Sequence, residues 1–101
     1  MYGLMGKFVA HSGQRDALID VLLRAAKDME RIEGCYLYVV SRDPNDGDGV
    51  WVTEVWHSQE DHQASLTHEA VQALISEGRP LIASMSDRME FEPVGGKGLP
   101  D

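Results

Sequence analysis

The sequence predicts an α+β domain of the ferredoxin-like kind, ordered β-α-β-β-α-β, with a four-stranded antiparallel sheet and helices on one face. Three observations carry this. Residues 14–32 repeat apolar side chains at helical spacing. Residues 35–43 and 50–57 are strand-like and are joined by Pro44-Asn45-Asp46-Gly47-Asp48-Gly49, a strong hairpin turn. Residues 2–10 and 86–93 supply outer members of the same pattern. A chain of 101 residues has room for one domain, expected over 1–94, with a tail at 95–101.

Tyr2 to Ala10 reads as the first strand, with Tyr2, Leu4, Gly6 and Phe8 on one face and Met5 and Val9 on the other. Lys7 is at odds with its face. Gly3 and Gly6 mark a close backbone approach or room for a ligand. Leu18, Leu22, Ala25, Ala26 and Met29 form the stripe of the first helix, and Gly34 is expected to stop it. Cys35 to Asp43 is aromatic and β-branched, and a regular strand there puts Tyr36 and Tyr38 on one face. Ser58 to Leu66 is a short helix capped by Ser58. Thr67 is expected to cap a second piece, 69–77, with Val71, Leu74 and Ile75 inward. Pro80 suits the start of another short turn over 81–85, and 86–93 alternates as the last strand.

Strands one to three are apolar on both faces, whereas the helices can cover only one. A second copy related by a two-fold axis is the simplest cover, so a homodimer is expected. A net charge of -8 makes the chain a poor partner for nucleic acid or an anionic membrane surface. The single Cys35 excludes an internal disulfide and is compatible with a reducing cytoplasm, the expected location. No run approaches the roughly 20 apolar residues of a membrane span. There is no G-x-G-x-x-G opening a helix, no P-loop and no HExxH or His-x-His pair, so no nucleotide, cofactor or metal is expected.

The chemistry concentrates in Val52 to Leu66, a strand running into a helix. Val50, Val52, Glu54 and Trp56 share one face of the strand, and His62 falls one turn into the helix. Trp56 suits either core filling or the wall of an aromatic slot. Glu54, central in an apolar strand, calls for a salt bridge to Arg79 or a lysine; otherwise desolvation makes it a proton acceptor. His62 is either a surface histidine or a pocket base titrating near neutral pH. Tyr36, Tyr38, Ser65 and Arg79 are second-rank candidates for substrate contact.

The stretch E-V-W-H-S-Q-E-D-H-Q-A-S-L, followed by V-Q-A-L-I, G-R-P-L-I-A and the closing P-V-G-G-K-G-L, resembles the antibiotic biosynthesis monooxygenase family in its quinol monooxygenase branch. The resemblance covers nearly the whole chain and implies a dimeric α+β barrel. It also implies cofactor-independent oxidation, by O₂, of a quinol, anthrone or similar electron-rich polyphenol. In that setting His62 would be base or donor, Glu54 would orient or relay, Trp56 would line the slot and Arg79 would steady an anionic oxygen. Related barrels that degrade haem carry an asparagine on the first strand and a tryptophan in the second helical region; this chain has neither, which argues against haem degradation. The alternative is a non-catalytic barrel that binds a small aromatic molecule or serves as an interaction or stress module.

Overall fold

The computed structural model describes residues 1–100. The elements are β1 (Tyr2–Ala10), α1 (Arg15–Met29), β2 (Cys35–Arg42), β3 (Gly49–Trp56), α2 (Gln59–Ser65), α3 (Glu69–Gly78), a 3₁₀ turn (Arg79–Leu81) and β4 (Ile82–Phe91). The strands form one antiparallel sheet in the order β2-β3-β1-β4. This is the ferredoxin-like arrangement, with the second helical region split in two.

β1 is central because it pairs on both sides. Tyr2 lies opposite Trp56, Leu4 opposite Glu54, Gly6 opposite Val52 and Phe8 opposite Val50. These residues share the face that the helices cover. At one end Ala10 and Val50 pack against Leu18 of α1; at the other, Trp56 packs with Met29 and with Val71 of α3. α3 comes close to α1 at Gly78, where an added Cβ would lie 3.4 Å from Val21.

Several boundaries differ from the sequence reading. α1 ends at Met29, short of Gly34, because Glu30, Arg31 and Ile32 turn to the tighter i→i+3 pattern. Gly34 instead leaves space for Asp61, whose side chain lies 2.8 Å from where a Cβ would stand. Thr67 does not cap α3: its hydroxyl donates to the Ala64 carbonyl, and His68 occupies the cap position. The turn at Pro80 lasts only three residues. β4 therefore starts at Ile82 rather than Ser86, since pairing of Ile82 with Ala10 and Ser84 with Val9 extends the ladder to the far end of β1. The register of β2 slips between Cys35 and Leu37. That irregularity separates the two tyrosines. Tyr38 stays with Glu54 on the helix face, while Tyr36 bonds His57 Nδ1 at 3.0 Å on the surface.

The other sheet face carries Met5, Val9, Trp51, Val55, Val39, Met89 and Phe91. Val39 is 42% exposed and Met89 60%. Gly3 is needed here because the Phe91 ring lies directly across it. Among the described residues, no helix is long and apolar enough to cross a membrane.

Lys7 now has a reason. Its ammonium sits 3.1 Å from Asp43 and 3.0 Å from Asp46, in the β2–β3 hairpin. Asp43 also accepts from the Asn45 backbone N–H and from Trp51 Nε1. These bonds, the Asn45 N–H first, hold the Asp43 carboxyl at about 2, down from the ordinary 3.8. A carboxyl whose pKa is depressed on folding adds stability above its unfolded value and loses it as pH falls through the folded one. Melting temperature is therefore expected to drop between pH 3.8 and about 2. Asp43→Asn should lower it at neutral pH and flatten that part of the profile, as read by circular dichroism melts.

Candidate active site

Ser58 ends β3 and starts α2, accepting a hydrogen bond from the Asp61 N–H at 3.1 Å. The cap fixes where α2 begins and so where His62 falls. The imidazole leans back over the end of the sheet. Its ring centre is 5.4 Å from that of Trp56, nearly edge-on, and 5.6 Å from that of Tyr2. His62 Nε2 lies 3.8 Å from Glu54 Oε1, near enough for charge interaction but beyond a hydrogen bond. Trp56 Nε1 donates to the same carboxylate oxygen at 3.1 Å. The Glu54 and His62 side chains are only 13% and 12% exposed. Trp56 is fully buried, so its core and site readings are both compatible with its place.

Burial decides the protonation of this group. Desolvation raises the Glu54 pKa above 4.5, with the Trp56 N–H and the Arg88 charge pulling the other way. Desolvation, then the Arg88 charge, lowers His62 below 6.5 against a weaker opposing pull from Glu90. Burial and the nearby Glu54 charge push the Tyr38 phenol upward. The same two causes raise the Cys35 thiol to about 11, which leaves it an inert, half-buried group at neutral pH. At pH 7 the site thus holds a neutral imidazole and a carboxyl group whose proton affinity is raised by burial.

A cavity of about 300 Å³ opens beside this cluster on the helix-covered face. Its lining includes Leu4, Gly6, Phe8, Val52, Met85 and Glu54. Glu54 is the member of the cluster that forms its wall; Trp56 and His62 stand behind Glu54. A second, more open groove of about 370 Å³ runs between α1 and β2, past Tyr36 and Tyr38. Gly6 forms cavity floor: a Cβ built there meets no heavy atom within 4 Å. The two β1 glycines thus divide the roles that the sequence left open, Gly3 for close approach and Gly6 for space.

The remaining candidates lie elsewhere. Arg79 is exposed at the start of the 3₁₀ turn, beyond the Ala10 end of β1 and at the opposite end of the sheet from Trp56. It makes no ion pair with Glu54. Ser65 is buried, and its hydroxyl donates to the His62 carbonyl at 2.6 Å, closing the last turn of α2. Two members of the neighbourhood escaped the sequence reading, Tyr2 and Arg88. In the sequence Tyr2 is marked only as a strand residue; its place opposite Trp56 is set by the β1–β3 register. Arg88 had a signal: in Met85-Ser86-Asp87-Arg88-Met89 two charged residues in succession interrupt the alternation. Among the described residues no three His, Cys, Asp or Glu side chains gather as a metal-binding group.

An antiparallel ferredoxin-like domain with an indole, a buried carboxylate and an imidazole beside a cavity defines a small α+β protein with acid–base capacity. The model of the antibiotic biosynthesis monooxygenase family matches residues 1–77, and the chain belongs to that family. Its structure is similar to that of a protein named "putative antibiotic biosynthesis monooxygenase" from Chloroflexus aurantiacus, with 50% identity, a TM-score of 0.90 and 98% of each chain covered. A protein of the same name from Deinococcus radiodurans shares 22% identity at a TM-score of 0.81, over 95% of each chain. A Bacteroides thetaiotaomicron protein named as a conserved protein of unknown function and possible oxidoreductase shares 18% identity at a TM-score of 0.79, covering 89% of this chain and 96% of its own. At those two identities the likeness shows the fold alone. No curated protein matches the chain.

The cavity gives a direct test. Gly6→Val has room for its side chain and replaces a poor strand former with a good one, so melting temperature should hold or rise slightly. Binding of small aromatic molecules, followed by indole fluorescence, should fall at least tenfold. Unchanged binding would show that the molecules sit elsewhere.

Proposed function

We propose that the protein is a cofactor-independent monooxygenase acting on an electron-rich ring ketone or quinol. The observation that carries the reading is Glu54: a carboxylate on a cavity wall, desolvated, with an indole N–H on one oxygen and a neutral imidazole nearby. Such a group, its proton affinity raised by burial, accepts a proton from a weakly acidic substrate.

For a ring ketone with a CH₂ group the steps balance as follows. A C–H bond breaks, the proton passes to Glu54, and the electron pair enters the ring as an enolate. The enolate gives one electron to O₂, and the two radicals join in a C–O bond. The peroxide takes the proton back from Glu54. Loss of the second C–H proton then breaks the O–O bond, leaving C=O on the ring and hydroxide, which becomes water. O₂ is the only oxidant; one of its atoms stays in the product. For a quinol the same balance puts one oxygen on a ring carbon and yields a hydroxyquinone and water. His62, neutral and 3.8 Å from Glu54, modulates the carboxylate and can accept its proton after a small movement.

The protein is further proposed to act as a homodimer joined through the open sheet face. What supports this is the row of exposed apolar side chains there, including Val39, Met89 and Phe91. Light scattering at micromolar concentration should give twice the chain mass, and Val39→Glu should halve it or unfold the protein. A wild-type monomer would remove the proposal.

Oxygen uptake with a quinol and anthrone panel tests the activity. Glu54→Gln should slow turnover by about 10²- to 10⁴-fold, the usual contribution of a general base. His62→Ala should also lower the rate, with melting temperature nearly unchanged because alanine favours the helix and Ser58 still caps it. The two groups shift towards each other from 4.5 and 6.5, so the acid limb of the rate should fall between those values and be complete by neutral pH. Wild-type turnover in both variants would end the assignment.

A further inference from the structure

β4 carries two exposed methionines, and a break in its pairing sends them to opposite faces. Met5 pairs with Met89 and Lys7 with Ser86, so one extra β4 residue stands between these pairs. Asp87, in that stretch, adopts φ of 50°, in the left-handed region that side-chain-bearing residues rarely occupy. This is a β-bulge, a device that re-aims side chains. In a regular strand Met85 and Met89 would share a face. Here Met85 pairs with Phe8 and lines the cavity with it, whereas Met89 pairs with Met5 on the open sheet face.

The chain has five methionines. Met29 is buried and Met1 and Met5 are half-buried, but Met85 is 67% exposed and Met89 60%. Met85 is therefore the thioether that meets solvent and the cavity at once. A thioether reacts with a peroxide without first losing a proton, so exposure governs its rate. The Cys35 thiol is half-buried and its pKa is pushed up to about 11, which makes it the slower sulfur at neutral pH.

We propose that Met85 is a peroxide-reactive site and that its sulfoxide closes the cavity to aromatic molecules. The oxidant is hydrogen peroxide or an organic hydroperoxide. The sulfur lone pair forms an S–O bond to one peroxide oxygen as the O–O bond breaks. Sulfur is oxidised, the peroxide is reduced, and the departing hydroxide or alkoxide takes the proton of the transferred oxygen to become water or an alcohol. The new side chain is polar. With the cavity empty it faces water at little cost. A ring entering beside Phe8 must strip water from the sulfoxide, a cost that the thioether does not impose. The proposed oxygen chemistry forms a peroxide in this same cavity. For that source of oxidant the proposal rests on the monooxygenase reading, and a leaking site would then shut itself down.

The test supplies hydrogen peroxide directly and removes it with catalase before binding is read. Peptide mass spectrometry should find Met85 gaining one oxygen atom well before Met29. The treated protein should bind 2-naphthol about tenfold or more weakly, with an unchanged melt. Methionine sulfoxide reductases should restore the binding. Met85→Leu should keep its affinity through the treatment, and Met89→Leu should lose it as the wild type does. Met85→Gln, polar from the start, should bind weakly without peroxide. An equal loss in Met85→Leu, full affinity in protein whose Met85 is oxidised, or no binding before treatment would overturn the proposal. Oxygen uptake by untreated protein is measured alongside. A Met85-dependent loss of binding without uptake on any substrate would keep the peroxide-reactive site and discard the monooxygenase reading. Uptake that persists when Met85 is oxidised, with binding unchanged, would discard the site and keep that reading.

Discussion

The hydrogen bond from Trp56 Nε1 to Glu54 Oε1 is the interaction on which the site depends. A carboxylate in the middle of an apolar sheet face is costly unless something answers it. Trp56 does so from two residues further along the same strand, and it can because period-two alternation puts both on one face. The indole is itself held by Met29 of α1 and Val71 of α3, so both helices contribute to fixing one carboxylate oxygen. Neither lysine nor arginine neutralises Glu54 at contact distance. That is the difference between a structural carboxylate, stabilised as a charge, and one whose proton affinity is raised.

A contrast within the same sheet makes the point. Asp43 and Asp46 share Lys7, backbone donors and an indole, and their proton affinity falls. Glu54 has one indole and burial, and its proton affinity rises. Both carboxylate sites use a tryptophan N–H, so the number and charge of the other donors decides the direction. The hairpin carboxylates fasten the turn, whereas Glu54 has no lysine or arginine at contact distance to hold it as a charge.

Much of the fold was legible in the sequence because its signals are local. Helical spacing in α1, the Asn-Asp-Gly turn and the Ser58 cap each act over a few residues, and each appears where those residues stand. Position along β3 also sufficed to place Glu54 and Trp56 together, and the cap sufficed to place His62 over them. What failed to show was register. Whether Tyr36 follows Tyr38 depends on a slip between Cys35 and Leu37, and which face Met85 takes depends on an extra β4 residue between the Met5–Met89 and Lys7–Ser86 pairs. Such slips are chosen by the partner strand, which a linear reading does not see. Arg79 was misplaced for a related reason: a short 3₁₀ turn delivers the chain directly into β4, at the end of the sheet remote from Trp56.

The register slips have another consequence, for association. β2 and β4 are the two outer strands, and each carries a break in its pairing pattern. An unbroken outer strand offers its free amide and carbonyl groups as a template for a further strand, and so for open-ended growth into fibres. A kinked margin presents donors and acceptors at uneven spacing and cannot hold a long ladder. Lateral growth is thereby discouraged at both margins, while the flat apolar face between them stays accessible. The same irregularities that turn individual side chains thus favour a closed, finite assembly over a polymer.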